Sequence, residues 1–373
     1  MCQTHYGRVL PGVNRICLKG KLDDISLQNS TNNHLFKLIN RGQQYRQALL
    51  FLAQEGNRPD LIISHSGWGC GLHVKEIWSS TPLISYLEWW HNPNSSLLHY
   101  DLSNSYLGLG PHLTKEFWLR NLPLALELSV ADSLVAPTYW QRSQLPEIFK
   151  QRCNVIYDGI DLNVFMPSII QRSPTPLLTY GTRGMEAIRC FPEFIEELPS
   201  ILDRWPLLTV EIAGTDKIYY GGYHPEGLTW KEWASIKLAK YLEAGRVSWV
   251  GYLNKSSYVK WLQKSWIHVY LTQPFVASWS LLEAMACGPQ IIASDVEPVR
   301  EFCDNNTAWL VDTRKTGFLQ SPIEHILGRS GLSSSKARLI APQAFSAHQS
   351  SQAWLTLICT LTHTKVEPGA TVL

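Results

Sequence analysis

The sequence predicts an α/β protein made of two doubly wound, parallel-sheet domains. Short apolar runs alternate with helical patterns almost throughout, the rhythm of parallel strands covered on both faces. The rhythm occurs twice, on either side of a stretch at 161–176 that carries three prolines. The length of 373 residues exceeds one ordinary core and suits two.

In chain order, NRICL at 14–18 is the first plausible strand, followed by the polar stretch KLDDISLQNSTNNH. A doubly wound domain normally opens with a strand, a tight Gly-rich turn and a helix, so the first domain is expected to lack its opening strand and helix. Strands follow at 61–64 (LIIS), 82–87 (PLISYL), 133–136 (SLVA) and 154–157 (NVIY), with helices at 43–55 and 113–130. The second half repeats the pattern with LLTYG at 177, LLTVEIAG at 207, VSWVGYL at 247, IHVYLT at 267, QIIASD at 290 and AWLVD at 308. Helices are expected at 186–203, 229–243, 255–264, 279–287 and 297–303. The expected divisions are 1–166, 167–340 and 341–373, the last being a helix that returns to the first domain, with a tail.

Composition narrows the function. A hydrophobic fraction of 45% with 17% charged residues excludes wholesale disorder. Thirty-three basic against 31 acidic residues leave a charge of +2, no field for a nucleic acid and no polybasic run for an anionic membrane. Fifteen Trp and 15 Tyr suit sugar stacking and core packing alike. The first residues hold no stretch fit for a signal peptide, and no window reaches the roughly 18 apolar residues of a spanning helix. Eight cysteines without a C-x-x-C pair read as buried thiols in a reducing compartment, which predicts the cytosol. The N-x-[ST] matches at Asn29, Asn94, Asn254 and Asn305 then read as chance.

Several common chemistries lack their motif. There is no G-x-G-x-x-G after a strand, GLGPH at 108–112 being one glycine short; P-loop, H-E-x-x-H, D-x-D and G-x-S-x-G are absent. Nicotinamide, P-loop, zincin, metal-bridged and serine-hydrolase readings lose support, and no metal is expected. Three constellations remain. YGTRGMEAIR at 180–189 places Arg183 and Arg189 on a loop entering a helix, where they could fork around a diphosphate or be ordinary surface arginines. In QPFVASWSLLEAMACG at 273–288, Ser278 and Ser280 begin a helix with Glu283 in its first turns. That carboxylate could take ribose hydroxyls or merely complement the helix dipole. In the first half, SHSGWGCG (64–71) and SYLEWWH (85–91) follow strands, at the carboxyl ends where open sheets bind ligands. There the small residues Ser66, Gly67, Gly69 and Gly71 permit close backbone approach. Trp68, Trp89 and Trp90 could floor a sugar or pack in a core.

Taken together, these segments resemble the retaining glycosyltransferases of family 4. PFVASWSLLEAMACG, SDVEPVREF and AWLVD resemble the donor-site helix and the chain beyond it, and TYGTRGMEAIRCFPEFIEELP resembles the diphosphate loop. HSGWGCGLHVKEIW, LISYLEWW, ADSLVAPTYWQRSQLPEIF and VIYDGIDLNVFMP resemble a subgroup with a distinctive first domain. The match runs in order over about residues 45–315.

The resemblance implies the GT-B fold, two Rossmann-like domains facing a cleft. It makes Arg183 and Arg189 the diphosphate clamps, with Gly184 beside them, and Glu283 the ribose ligand. Ser278, Ser280 and the N–H groups of Leu281 and Leu282 would face the phosphates, and Tyr252 the base. Gly67, Trp68 and Gly69 fall on the acceptor side. No cofactor is implied beyond the nucleotide-diphosphate sugar as substrate. Partners are that sugar and a glycan or lipid-linked acceptor, with attachment to the inner face of a membrane left open. Three departures stand out: Phe275 replaces the first Glu of the family's E-x7-E pair; Glu88 replaces a His at the end of a first-domain strand, where it joins Arg183 and Arg189 as a catalytic candidate that would orient the acceptor hydroxyl; and the opening strand and Gly-rich turn have no counterpart. Transfer of a hexose with retention is the expected reaction. The rival expectations are a GT-B binding protein without turnover and a sugar-nucleotide epimerase.

Overall fold

The computed structural model of the chain describes residues 10–16, 33–104, 106–107, 113–168, 172–328 and 343–364. Within them, four strands form a parallel sheet in the order β1 (Ile62–His65), β2 (Leu83–Tyr86), β3 (Ser133–Ala136), β4 (Cys153–Val155). Six more are β5 (Leu177–Gly184), β6 (Thr209–Thr215), β7 (Val247–Gly251), β8 (Ile267–Tyr270), β9 (Gln290–Ser294) and β10 (Trp309–Val311). They form a second parallel sheet in the order β10-β9-β8-β5-β6-β7. Residues 14–16 are not a strand; the rest of NRICL, the polar stretch after it and 108–112 lie outside the described residues.

Strands β3, β8 and β9 are buried at every position, as parallel strands covered on both faces must be. The helices that matter most are α1 (Asn33–Gln54), α2 (Thr114–Val130), α3 (Phe191–Arg204), α4 (Trp279–Cys287) and α5 (Ala347–Thr362). On α3, Phe191, Phe194, Ile195, Leu198, Ile201 and Leu202 are buried at helical spacing, and Phe194 stacks on Tyr180 of β5 at 4.4 Å. The sequence predicts that this helix starts at 186. Instead a 3₁₀ turn occupies Ala187–Arg189, and Cys190 takes a left-handed φ of 50° before α3 begins. The expected helix at 229–243 likewise divides at Leu238 into Trp230–Lys237 and Ala239–Glu243.

The halves are tied together. Leu97 and Leu107, from the connection after β2, join the core of the second sheet. Tyr106 packs edge-on against Trp230 at 5.2 Å. Gly222, with φ +79°, lets the Tyr106 carbonyl approach to where a Cβ would stand only 2.1 Å away. Helix α5 lays Trp354, Leu357, Ile358 and Leu361 against Ile84, Val135 and Ile156 of the first sheet. Among the described residues no helix is long and apolar enough to cross a membrane.

Candidate active site

The two sheets face each other across a cleft of about 1100 Å³, lined from both halves. On the second-half wall, Arg183 at the end of β5 lies 4.3 Å from the Tyr219 ring centre, and its Nη1 is 3.4 Å from the Tyr220 hydroxyl. Both tyrosines ride on a loop held by buried Glu186, whose Oε2 accepts the N–H groups of Tyr219 (2.9 Å), Tyr220 (2.8 Å) and Gly221 (3.3 Å). Gly184 is required where the loop crosses, since a Cβ there would meet the Lys217 carbonyl at 2.2 Å.

Arg189 donates from Nη1 to Thr272 Oγ1 at 3.1 Å and to the Val276 carbonyl at 3.0 Å, 5.3 Å below the centre of the Phe275 ring. It therefore fixes the turn that leads into α4. Ser278 caps that helix, and its own N–H donates to the Tyr270 hydroxyl at 2.6 Å. Ser280 Oγ lies 3.0 Å from Ser278 Oγ. The Leu281 N–H donates to the Ser278 carbonyl at 3.1 Å, and Leu282 lines the cleft. Glu283 also lines it, and burial raises its carboxyl above the ordinary range. The buried Tyr258 hydroxyl stands beside it without a well-directed hydrogen bond. Tyr252 is 81% exposed at the rim. The arginines and α4 start thus share one wall with Glu283.

On the first-half wall, Glu88 forms a 3.5 Å ion pair with His65 Nε2. Trp68 lines the cleft, half exposed. Gly67 and Gly69 serve packing rather than ligand approach. A Cβ on Gly69 would meet the Leu38 carbonyl of α1 at 2.8 Å, and one on Gly67 the Leu124 side chain of α2 at 3.3 Å. Buried Glu127 of α2 ties the loop down by accepting the N–H groups of Gly67 (2.7 Å) and Gly71 (3.1 Å). Trp90 belongs to the first core, whereas Trp89 meets Phe275 across the cleft at 4.8 Å. Asp158 spans the halves: it accepts from the Tyr86 hydroxyl at 2.6 Å and from Trp279 Nε1 at 2.7 Å. Burial raises its carboxyl against the pull of those two bonds. Among the described residues no group of three or more His, Cys, Asp or Glu could hold a metal ion.

Comparison with known proteins decides the family. The profile of the glycosyl transferase family 4 group matches residues 1–165, and that of glycosyl transferases group 1 matches residues 177–328. The chain belongs to the family 4 glycosyltransferases. Solved glycosyltransferases share its GT-B architecture. Sucrose-phosphate synthase from Thermosynechococcus elongatus is 19% identical with a TM-score of 0.63, over 87% of this chain and 80% of that one. A glycosyltransferase from Rickettsia africae is 16% identical with a TM-score of 0.65, over 91% and 85%. Anabaena HepE in complex with UDP is 14% identical with a TM-score of 0.63, over 85% and 82%. No curated protein matches by sequence.

Four carboxylates that organise this glycosyltransferase escape a reading of the sequence: Glu127, Glu186, Asp158 and Glu301. Each acts on partners 33 or more positions away. Glu186, Asp158 and Glu301 sit inside the motifs that carry the family resemblance, which is the only local mark they bear.

Proposed function

We propose that the chain transfers a hexose from a nucleoside-diphosphate sugar to a glycan or lipid-linked acceptor with retention of configuration. It would work in the cytoplasm on a surface polysaccharide or glycoconjugate, at a membrane's inner face when the acceptor is lipid-linked. The observation that carries this is the shared wall: Arg183, Arg189 and the start of α4 face the cleft together, with Glu283 beside them. A diphosphate there meets two guanidinium groups and a helix N-terminus, and Glu283 would take ribose hydroxyls. The Anabaena neighbour was solved with UDP and with UDP-glucose, which supports a nucleotide-sugar donor for this fold.

In this reading the acceptor hydroxyl attacks on the face that the diphosphate leaves. The departing phosphate oxygen, stabilised by both arginines, assists its deprotonation. The protein supplies positioning and preorganised charge, and the guanidinium groups supply the charge that a metal would. The second reading is a protein of the same fold that holds its ligand without turnover. Incubating the full chain with UDP-, GDP- and dTDP-sugars and a panel of glycans, with and without EDTA, tests both. Proton NMR should show a new glycosidic bond with the donor's anomeric configuration in both conditions. Intact donors with every acceptor would leave the binding reading standing, and an isomerised donor would indicate an epimerase.

A further inference from the structure

We infer that Tyr106, from the first half of the chain, is a positioning residue for the nucleotide wall: it holds the loop that braces Arg183. The inference rests on the transferase reading above, which puts the diphosphate at that wall, and it adds a residue that stands outside the cleft.

The loop after β6 carries Tyr219 and Tyr220 against Arg183, and the chain grips it from three sides. Glu186 accepts its amides, as described above. The Trp230 indole Nε1 donates to the Gly222 carbonyl at 3.0 Å. The third grip comes from the connection between β2 and α2. There the Tyr106 carbonyl crosses Gly222 so closely that an added Cβ would stand 2.1 Å from its oxygen and 3.0 Å from the Ala187 Cβ. The Tyr106 ring is stacked 6.2 Å from His224 and edge-on 5.2 Å from Trp230. Those two rings meet each other at 5.1 Å, and His224 is buried. The braces of Arg183 therefore run within a few residues into the Tyr106 contact.

The turn that presents Tyr106 is itself fastened to the second half. Asn104 Oδ1 accepts the Tyr106 N–H at 3.1 Å, while its Nδ2 donates to Glu193 of α3 at 2.6 Å. The Leu107 N–H donates to the Asn104 carbonyl at 3.4 Å. Leu107 is buried in the core that also holds Met185, Ala187 and Ile188, the residues between the two arginines. A fixed turn on one side and a buried carboxylate on the other leave the backbone at 219–222 one place to lie. The two tyrosines, and Arg183 against them, are set in advance. A guanidinium already held in place loses less rotamer freedom when it meets a phosphate. Without the Tyr106 ring the loop gains freedom, and ordering Arg183 then lowers affinity. Tyr106 is not among the residues that line the cleft, so its effect reaches the ligand through the loop.

Calorimetric titration of the full chain with UDP, GDP and dTDP, and with uridine, guanosine and thymidine, tests this. Tyr106→Ala should weaken the best-bound diphosphate about tenfold and leave its nucleoside unchanged, because Arg183 faces the diphosphate alone. Tyr106→Phe keeps the ring and should restore the natural affinity. In an Arg183→Ala background, Tyr106→Ala should change diphosphate affinity by no more than about twofold, since both substitutions act on one contact. Ile201→Ala, a cavity on α3 in the same core, is the control: it should lower the melting temperature without altering affinity. If Tyr106→Ala does not fold, Tyr106→Leu carries the same comparisons. Natural affinity in Tyr106→Ala, an equal loss for diphosphate and nucleoside, or a full loss that persists beside Arg183→Ala would overturn the inference. A natural chain that binds none of the three diphosphates would instead refute the transferase reading on which it rests.

Discussion

Glu301, from the second half of the chain, caps Tyr139 in the first: its Oε1 accepts the Tyr139 N–H at 2.7 Å, and its Oε2 accepts that of Trp140 at 2.9 Å. These are the first two donors of the helix Tyr139–Ser143, and Thr138 takes the third, from Gln141. The Tyr157 hydroxyl adds a further bond to Glu301 at 2.9 Å. One side chain thus ends a helix and fastens two domains.

Glu301→Ala leaves two helix donors and a phenol without their partner, and should destabilise the chain by about 1–3 kcal/mol. It should also loosen the domains. Thermal denaturation reads the first effect, and faster proteolysis within 161–176 reads the second. An unchanged melting temperature would show that water replaces the cap at no cost.

Glu186→Ala should be harsher, since three backbone donors lose one buried acceptor. A loss of about 3 kcal/mol is expected, together with weaker donor binding because Tyr219 and Tyr220 no longer brace Arg183. Full stability with normal donor affinity would mean that the loop is held by other contacts.

Stability should depend on pH through Glu193. Its Oε1 accepts from Asn104 Nδ2 at 2.6 Å, its Oε2 is buried without a partner, and desolvation raises its carboxyl to about 7. The folded chain therefore holds this proton more tightly than the unfolded chain. The contribution is full below the ordinary carboxyl range and is lost as pH rises through about 7. Glu193→Gln, which keeps an acceptor for Asn104, should gain on the natural chain as pH goes from about 5 to about 8. A difference in melting temperature that stays flat over this range would contradict the assignment.

The strands were legible because each is a short apolar run between turn residues. LIIS, SLVA, LLTYG and IHVYLT each overlap a strand of the two sheets. Arg183, Arg189 and Glu283, picked out as candidates by their places in local motifs, line one cleft. The glycines of SHSGWGCG were not: Gly69 looks like a ligand-approach residue in sequence, yet its space is taken by α1, a contact between segments far apart in the chain. The start of α3 was missed because the left-handed turn at Cys190 leaves no mark on helical periodicity.

Replacing Arg183 by Ala should remove about 2–4 kcal/mol of transition-state stabilisation, the range for a preorganised charge donor, and added Mn²⁺ should not restore it. Arg189→Ala should cost at least as much, because Arg189 also pins Thr272 and the Val276 carbonyl. Steady-state kinetics on the natural chain and both variants would measure this. Recovery of either variant with Mn²⁺ would overturn the metal-free account.

The central claim is that the wall formed by Arg183, Arg189 and the start of α4 holds the diphosphate of a nucleotide sugar. Calorimetric titration of the full chain with UDP, GDP and dTDP tests it most directly, alongside Arg183→Ala and Glu283→Gln. The account predicts that at least one nucleoside diphosphate binds, that Arg183→Ala weakens it about tenfold or more, and that Glu283→Gln weakens the ribonucleotide more than its 2′-deoxy counterpart. Binding of no nucleoside diphosphate, or binding that both variants leave untouched, would contradict it.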